Sequence, residues 1–303
     1  MNTYSAYGVT IRSEFDLPEL STVERWNTGG DVVFRRDEVE PVPETVDGTG
    51  GRRIQATPGR CRLSYDSYGD FLVERGESVL FDPYSAAVLN TKILRRLLEN
   101  EMLGVILHQR GRLVLHASAV SIEGNAVVFL GPRGVGKSTT AAAFHELGHS
   151  ILEDDIVSVR FENETPIVDP GVPEMRLVPD AVEALGIDGA VHHPDDGGSE
   201  KQYQQFENVP ASAPLAGCYV LRNGDSLSLS ELSERDQLFN IVQSTYTQGL
   251  LPDTDRTDNH FQQCSTVAGT TLCRLLTRPD DHDVLPTLVD TVVEDLRTSG
   301  RVE

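Results

Sequence analysis

The amino-acid sequence predicts an α/β protein with a β-rich module at its N-terminus. Three observations carry that expectation. Residues 1 to about 85 hold short runs of alternating apolar and polar residues, separated by turn-forming segments. At 125–146 an apolar strand runs into a glycine-rich loop and then into a stretch of helix formers. Residues 284–299 carry the apolar spacing of an amphipathic helix.

The N-terminal strands are expected in YGVTIRS, DVVFRR, RRIQAT, CRLSY and FLVERG, with NTGGD, PVPETVDGTGG and SYGD between them. Regular strands with turn signals argue for an antiparallel module. Over 86–110 the pattern changes: Val88, Ile93, Leu94, Leu97, Leu98 and Leu103 fit a helix face. RLVLHASAVSIEG and NAVVFLG then read as strands joined at Gly124-Asn125, and STTAAAFHEL as a helix that Gly148 terminates. SILEDDIVSVRF is a further strand. The Pro-, Gly- and Asp-rich region 163–215 reads as long loops with one short helix at DAVEALG. LAGCYVLR and SLSLSEL are expected strands, RDQLFNIVQSTYTQGLL and DNHFQQCSTVAG helices, TTLCRLLT a strand and VLPTLVDTVVEDLRTS the closing helix. The expected division is a β-rich module over 1–90 and a second domain over 91–303.

Charge excludes several functions. The 303 residues hold 47 acidic and 26 basic side chains, a formal net charge of −21. Such a chain lacks the basic footprint that nucleic acid requires, and anionic membranes repel it. No apolar run approaches the roughly 18 residues of a membrane-spanning helix, and MNTYSAYGVTIRSEF does not read as a signal peptide. The expected location is cytoplasmic. Lysine occurs only at Lys92, Lys137 and Lys201. Acidic excess with few lysines points to a halophilic protein, whose hydrated acidic surface is screened by salt. Cys61, Cys218, Cys264 and Cys273 are scattered, with no CxxC pair, and are read as core residues.

The chemistry-bearing motif is Gly131-Pro132-Arg133-Gly134-Val135-Gly136-Lys137-Ser138, followed by Thr139. It matches the P-loop pattern G-x-x-x-x-G-K-[ST], with a strand before it and a helix after it. The glycines let backbone N–H groups turn around phosphate oxygens, and the helix start adds partial positive charge. Lys137 is expected on the β- and γ-phosphates and the Ser138 hydroxyl on Mg²⁺. Asp154-Asp155 follow one helix, one turn and one short strand later. One carboxylate suits a metal and the other suits the proton of a hydroxyl acceptor. His116 lies on the strand before the P-loop strand.

The stretch LHASAVSIEGNAVVFLGPRGVGKSTTAAAFHELGHSILEDD resembles the catalytic core of the HPr serine kinase/phosphorylase family. The likeness spans the His-containing strand, the P-loop, the Gly-His pair and the Asp-Asp pair. It implies a P-loop kinase core of the type shared with ATP-dependent phosphoenolpyruvate carboxykinase. It also implies ATP and Mg²⁺ as cofactors, Lys137 on the phosphates, Ser138 on the metal, Asp155 as proton acceptor, His116 assisting, and Asp154 supporting the metal or the base. YGVTIRSEFDLPEL, PGVPEMRLVPDAVEALG, Lys201 and PLAGCYVL resemble a branch associated with peptide tailoring. The family's Glu-x-Arg-Gly signature is matched only by Glu174-Met175-Arg176-Leu177, without the glycine. Glu174 as a second metal ligand and Arg176 as a phosphate contact rest on that partial match.

The resemblance implies an ATP-dependent kinase acting on a serine or similar hydroxyl of a protein, peptide or small molecule. The alternative is a nucleotide-binding regulatory module without turnover. Either reading allows a homo-oligomer. A salt-adapted surface has a measurable consequence. Phosphotransfer activity is expected to hold or rise as KCl goes from about 0.1 to about 1 M, where the Debye length falls from ~10 to ~3 Å. A collapse of activity across that range argues against salt adaptation.

Overall fold

The computed structural model describes residues 1–23, 31–206 and 208–302. The turn expected at 27–30 lies outside the described residues. The chain forms two compact units. One comprises Met1–Arg112, Pro194–Ser199 and Thr247–His260; the other comprises Leu113–His193, Glu200–Tyr246 and Phe261–Glu303. No helix among the described residues is long and apolar enough to cross a membrane.

The first unit is built on nine strands among the described residues: β1 (Asn2–Ala6), β2 (Val9–Ser13), β3 (Ser21–Thr22), β4 (Val32–Arg36), β5 (Gly48–Thr49), β6 (Arg52–Thr57), β7 (Arg60–Tyr65), β8 (Gly69–Glu74) and β9 (Ser78–Pro83). Their order is β3-β1-β2-β4-β9-β8-β7-β6-β5. The module is β-rich as expected, but it is not wholly antiparallel: β4 runs parallel to both β2 and β9. A two-residue turn can only return a strand antiparallel, whereas the longer excursions after β2 and β4 allow parallel entry. Tyr7 and Gly8 are not the start of a strand. Both have positive φ and make the tight turn between β1 and β2. Phe71 stacks on Phe81 at 4.2 Å and Phe15 meets Phe81 edge-on, which anchors the buried face.

The expected helical segment follows as α1 (Lys92–Arg96), one π-helical turn over Leu97–Met102, and α2 (Leu103–Gln109). Thr91 caps it, and the Asp195 carboxylate accepts from Lys92 N at 2.8 Å. Gln109 ties the far end to the sheet, donating to Val73 O and accepting from Gly76 N. This is why the first unit continues past residue 90 to Arg112. The Asp195-Asp196 pair is anchored here too, with Asp196 buried against Arg96 Nε at 2.7 Å. At the centre Lys92 Nζ and Arg95 Nε both reach Glu19 Oε1, at 2.9 and 2.8 Å, and Lys92 and Glu19 are buried.

The second unit contains β10 (Leu113–Ile122), β11 (Asn125–Leu130), α3 (Lys137–Glu146), β12 (Ser150–Glu162), β13 (Thr165–Asp169), β14 (Glu174–Leu177), α4 (Pro179–Leu185), β15 (Val191–His192), β16 (Gln202–Gln205), β17 (Ala213–Asn223), β18 (Ser228–Glu231), α5 (Glu234–Gln243), α6 (Thr257–Thr270), whose first residues belong to the other unit, β19 (Leu272–Arg278) and α7 (Leu285–Thr298). Its main sheet has the order β11-β10-β12-β13-β17-β19-β18, and β11 also pairs parallel with β17. One face packs Phe129 and Val127 against Phe144 of α3 and Leu288 and Val292 of α7. The other packs Leu115, Val128 and Cys218 against Ile241 of α5 and Val267 of α6. All four cysteines are buried free thiols.

One expectation in this unit is incomplete and another fails. The region 163–215 is mostly loop with the expected short helix, α4, but it also holds strands. It carries β13 and a small sheet, β14-β16-β15, whose strands are too short and polar to show a clear period in sequence. The helix expected over 235–251 stops at Gln243, because the chain turns to pair with β10: Tyr246 N donates to Val114 O and Leu115 bridges Thr245.

The Glu19 cluster makes a stability prediction. Burial raises the Glu19 carboxyl, but Lys92 and Arg95 outweigh it and leave the group below its ordinary value. Its contribution is therefore fully present above the ordinary carboxylate value and is lost as pH falls through the lower folded value. Lys92→Met removes one buried partner and is expected to cost about 3 kcal/mol at pH 7. Urea unfolding at pH 7 checks the magnitude.

Candidate active site

The glycine-rich loop starts at the end of β11, next to the carboxyl ends of the parallel strands β17 and β19. Gly131, Gly134 and Gly136 have φ of 143°, 85° and 92°, a run that L side chains adopt poorly. Pro132, Arg133 and Gly134 form the exposed tip, while Val135 is buried. α3 begins at Lys137 directly after Gly136, so the amides of its first turn open toward the loop. Thr139 and Thr140 are buried in that turn. Lys137 folds back over the loop, and its Nζ donates to Gly131 O at 3.0 Å and Pro132 O at 3.3 Å. Burial pushes this ammonium down, with Asp154 and Asp155 pulling it back up.

The register of β10 sets the rest of the site. Ser118 lies between Phe129 of β11, one residue before the end of that strand, and Asp154 of β12. Ser118 Oγ donates to Asp154 Oδ1 at 2.6 Å, and Arg176 N on β14 donates to Oδ2 at 3.2 Å. Ser138 also lowers the Asp154 carboxyl. Desolvation still pushes the Asp154 carboxyl above its ordinary value, eased first by Ser118. His116 sits two residues before Ser118 and so shares its face of β10. Its Nδ1 lies 3.0 Å from Asp155 Oδ1.

Asp154 and Asp155 are consecutive on a strand, so regular pleating sends them to opposite faces. Here one carboxylate meets Ser118 and the other meets His116, on the same face. The backbone explains it: Asp155 has φ +106°, far outside the region a non-glycine residue prefers. Such a conformation costs on the order of 1–3 kcal/mol and persists only where its surroundings enforce it.

Lys137, Ser138, Asp154, Asp155 and His116 are thus brought to one place. Glu174 stands two residues from Arg176 on β14, on the same strand face, and it is the Arg176 backbone that touches Asp154. Ser118 and Arg278 were missed in sequence. Ser118 signals itself only by its spacing from His116. Arg278 ends β19, and a Cβ on Gly136 would come within 2.1 Å of its Nη2. It is buried beneath the loop, and nothing local in the sequence marks that neighbour.

The donor set suits Mg²⁺. Ser138 and Asp154 supply hard oxygen atoms, and the buried carboxyl stands to gain from a cation beside it. Among the described residues no three His, Cys, Asp or Glu side chains gather into a self-sufficient metal site. Mg²⁺ bound with a nucleotide needs only one or two protein ligands.

No family model matches the chain. Part of it is similar to curated proteins named HPr kinase/phosphorylase. The protein of Caldicellulosiruptor bescii is 36% identical over 76 residues, 25% of this chain and 24% of the relative. That of Shouchella clausii is 31% identical over 114 residues, 38% and 34% of the two chains. That of Treponema pallidum is 30% identical over 109 residues, 36% and 34%. The chain thus spans about a quarter to a third of the length of the curated relatives it matches. Among solved structures, the HPr(Ser) kinase/phosphatase from Coxiella burnetii aligns with TM-score 0.32 and 15% identity, covering 61% of this chain and 91% of that one. The resemblance read from the residues is borne out: over the matched segments the chain is HPr kinase/phosphorylase-like.

Two glycine substitutions separate backbone strain from contact. Gly134→Ala and Gly136→Ala both put a side chain at positive φ, at a cost of about 1–2 kcal/mol. Only Gly136→Ala also meets Arg278, since nothing lies within 4 Å of a Cβ at Gly134. Gly136→Ala is expected to lower the thermal unfolding temperature more than Gly134→Ala and to weaken nucleotide binding more, as read by calorimetry.

Proposed function

We propose that the protein is an ATP-dependent kinase that transfers the γ-phosphoryl group to a serine or similar hydroxyl. The observation that carries this reading is the strained Asp155, which turns a second carboxylate onto the face holding Ser118, Asp154 and the glycine-rich loop. A nucleotide-binding loop alone needs no such residue; a hydroxyl acceptor does. The similarity to HPr kinase/phosphorylases supports the same class of reaction.

In this reading the loop amides and Lys137 receive the phosphates, and Lys137 exchanges the Gly131 and Pro132 carbonyls for phosphate oxygens. Arg133 at the loop tip and Arg278 beneath Gly136 add positive charge. Ser138 and Asp154 would hold Mg²⁺, with Glu174 as a further candidate oxygen ligand, and the ion would supply neutralisation of phosphate charge. Asp155 accepts the proton of the acceptor hydroxyl as its oxygen bonds to the γ-phosphorus, the bond to the bridging oxygen breaks and ADP leaves. His116 orients Asp155 through the Nδ1 contact. Catalysis of this kind is positioning and electrostatics more than covalent chemistry. The acceptor is a protein, peptide or small-molecule hydroxyl, and an acidic, salt-adapted surface is part of the same proposal.

The test is transfer of γ-³²P from ATP to HPr protein, serine peptides and free serine. Lys137→Ala and Asp155→Asn are each expected to reduce transfer at least 100-fold, the scale of an electrostatic stabiliser or a general base. Full transfer by both variants overturns the assignment. Nucleotide binding without transfer to any acceptor supports a regulatory module instead.

A further inference from the structure

The acceptor side of the site has a chemistry of its own. Across the second unit the strands run from β11, which leads into the glycine-rich loop, through β10 to β12 with its two carboxylates. Beyond β12 lies β14, packed against it and joined edge to edge with β16. This small sheet carries cations. Arg176 lies on β14, its backbone N–H on Asp154 and its guanidinium 5.6 Å from the centre of the Tyr203 ring. Tyr203 is its register partner on β16 and is buried. Lys201 directly precedes β16 and is partly buried. Burial depresses the Lys201 ammonium, Arg176 and Arg133 depress it further, and Asp154 and Asp155 oppose them. Lys201 stands two residues before Tyr203, the register partner of Arg176, which sets it beside the strand whose Arg176 N–H rests on Asp154.

The placement is selective. Of the three lysines in this chain, Lys92 is consumed in the buried Glu19 pair of the first unit, Lys137 opens α3 over the glycine-rich loop, and Lys201 leads into β16. A net charge of −21 disfavours any anion approaching the protein, so an acidic acceptor needs local cations to receive it. Arg176 and Lys201 are the cations of the small sheet that meets Asp154 through Arg176 N. A neutral acceptor gains nothing from two cations there, whereas an acidic one forms charge-assisted hydrogen bonds with both.

We propose that the acceptor carries an acidic group, a carboxylate or a phosphate, beside the hydroxyl that is phosphorylated, and that Arg176 and Lys201 hold it. This rests on the phosphotransfer reading above. The acidic group fixes the acceptor so that its hydroxyl faces Asp155, and Arg176 and Lys201 act as specificity residues.

The test uses the full-length protein loaded with Mg²⁺ and a non-hydrolysable ATP analogue, and three blocked peptides that differ only in the residue after serine: Asp, phosphoserine or Asn. Calorimetry is expected to show at least tenfold tighter binding of one or both acidic peptides than of the Asn peptide. The better acidic peptide identifies carboxylate or phosphate as the preferred group. Lys201→Gln and Arg176→Gln are each expected to reduce that ratio at least threefold, and with ATP the same ratio should appear in kcat/KM. Equal binding of all three peptides overturns the proposal, as does a ratio unchanged in both variants, the result expected if these cations serve the nucleotide phosphates alone. Discrimination in binding with no transfer from ATP keeps the acidic subsite and overturns the kinase reading instead.

Discussion

The site depends on one backbone conformation. β10 and β12 pair antiparallel, and that register alone places Ser118 opposite Asp154. It delivers one carboxylate to the loop and, by alternation, sends the next one away. The positive φ at Asp155 reverses the alternation at a single residue. Everything proposed about proton removal follows from it, because only then does the second carboxylate share a face with His116. The strain is held by ladder pairs on both sides, Ser118 with Asp154 and His116 with Ile156.

Around that point the molecule separates two jobs. The parallel strands β11, β17 and β19 end together and supply backbone amides, a lysine and a buried arginine, groups that hold charge without reacting. The antiparallel strands β10 and β12 supply carboxylates and an imidazole, groups that accept and give protons. β14 joins the second group through the hydrogen bond from Arg176 N to Asp154.

Much of this was legible in the residues. The strand, glycine-rich loop and helix at 125–146 announce themselves because each is local: an apolar run, glycines where φ must be positive, and helix formers after them. The C-terminal helix and the segment 86–110 were legible through apolar spacing. What failed was non-local. Parallel entry of β4 depends on where the chain goes after leaving β2, which no window of residues encodes. The β14-β16-β15 sheet was missed because its strands are only two to four residues long and lie among Pro, Gly and Asp turn signals. Arg278 reaches the loop through two strand pairings, from β11 to β17 and on to β19, and its sequence neighbourhood looks like an ordinary strand end. The adjacency of Asp154 and Asp155 was visible, but not that they would face the same way.

The resting position of Lys137 has a consequence for which ions can compete at the loop. Its ammonium already donates to two carbonyls of the same loop. An incoming anion must therefore offer more than those carbonyls do. A halide gives one diffuse charge and no directed geometry, whereas a phosphate chain gives several oxygens that the loop amides engage at the same time. On the proposed reading the loop is an exchange site rather than an open trap: a multidentate ligand would replace the contacts it displaces, and a monovalent anion would not.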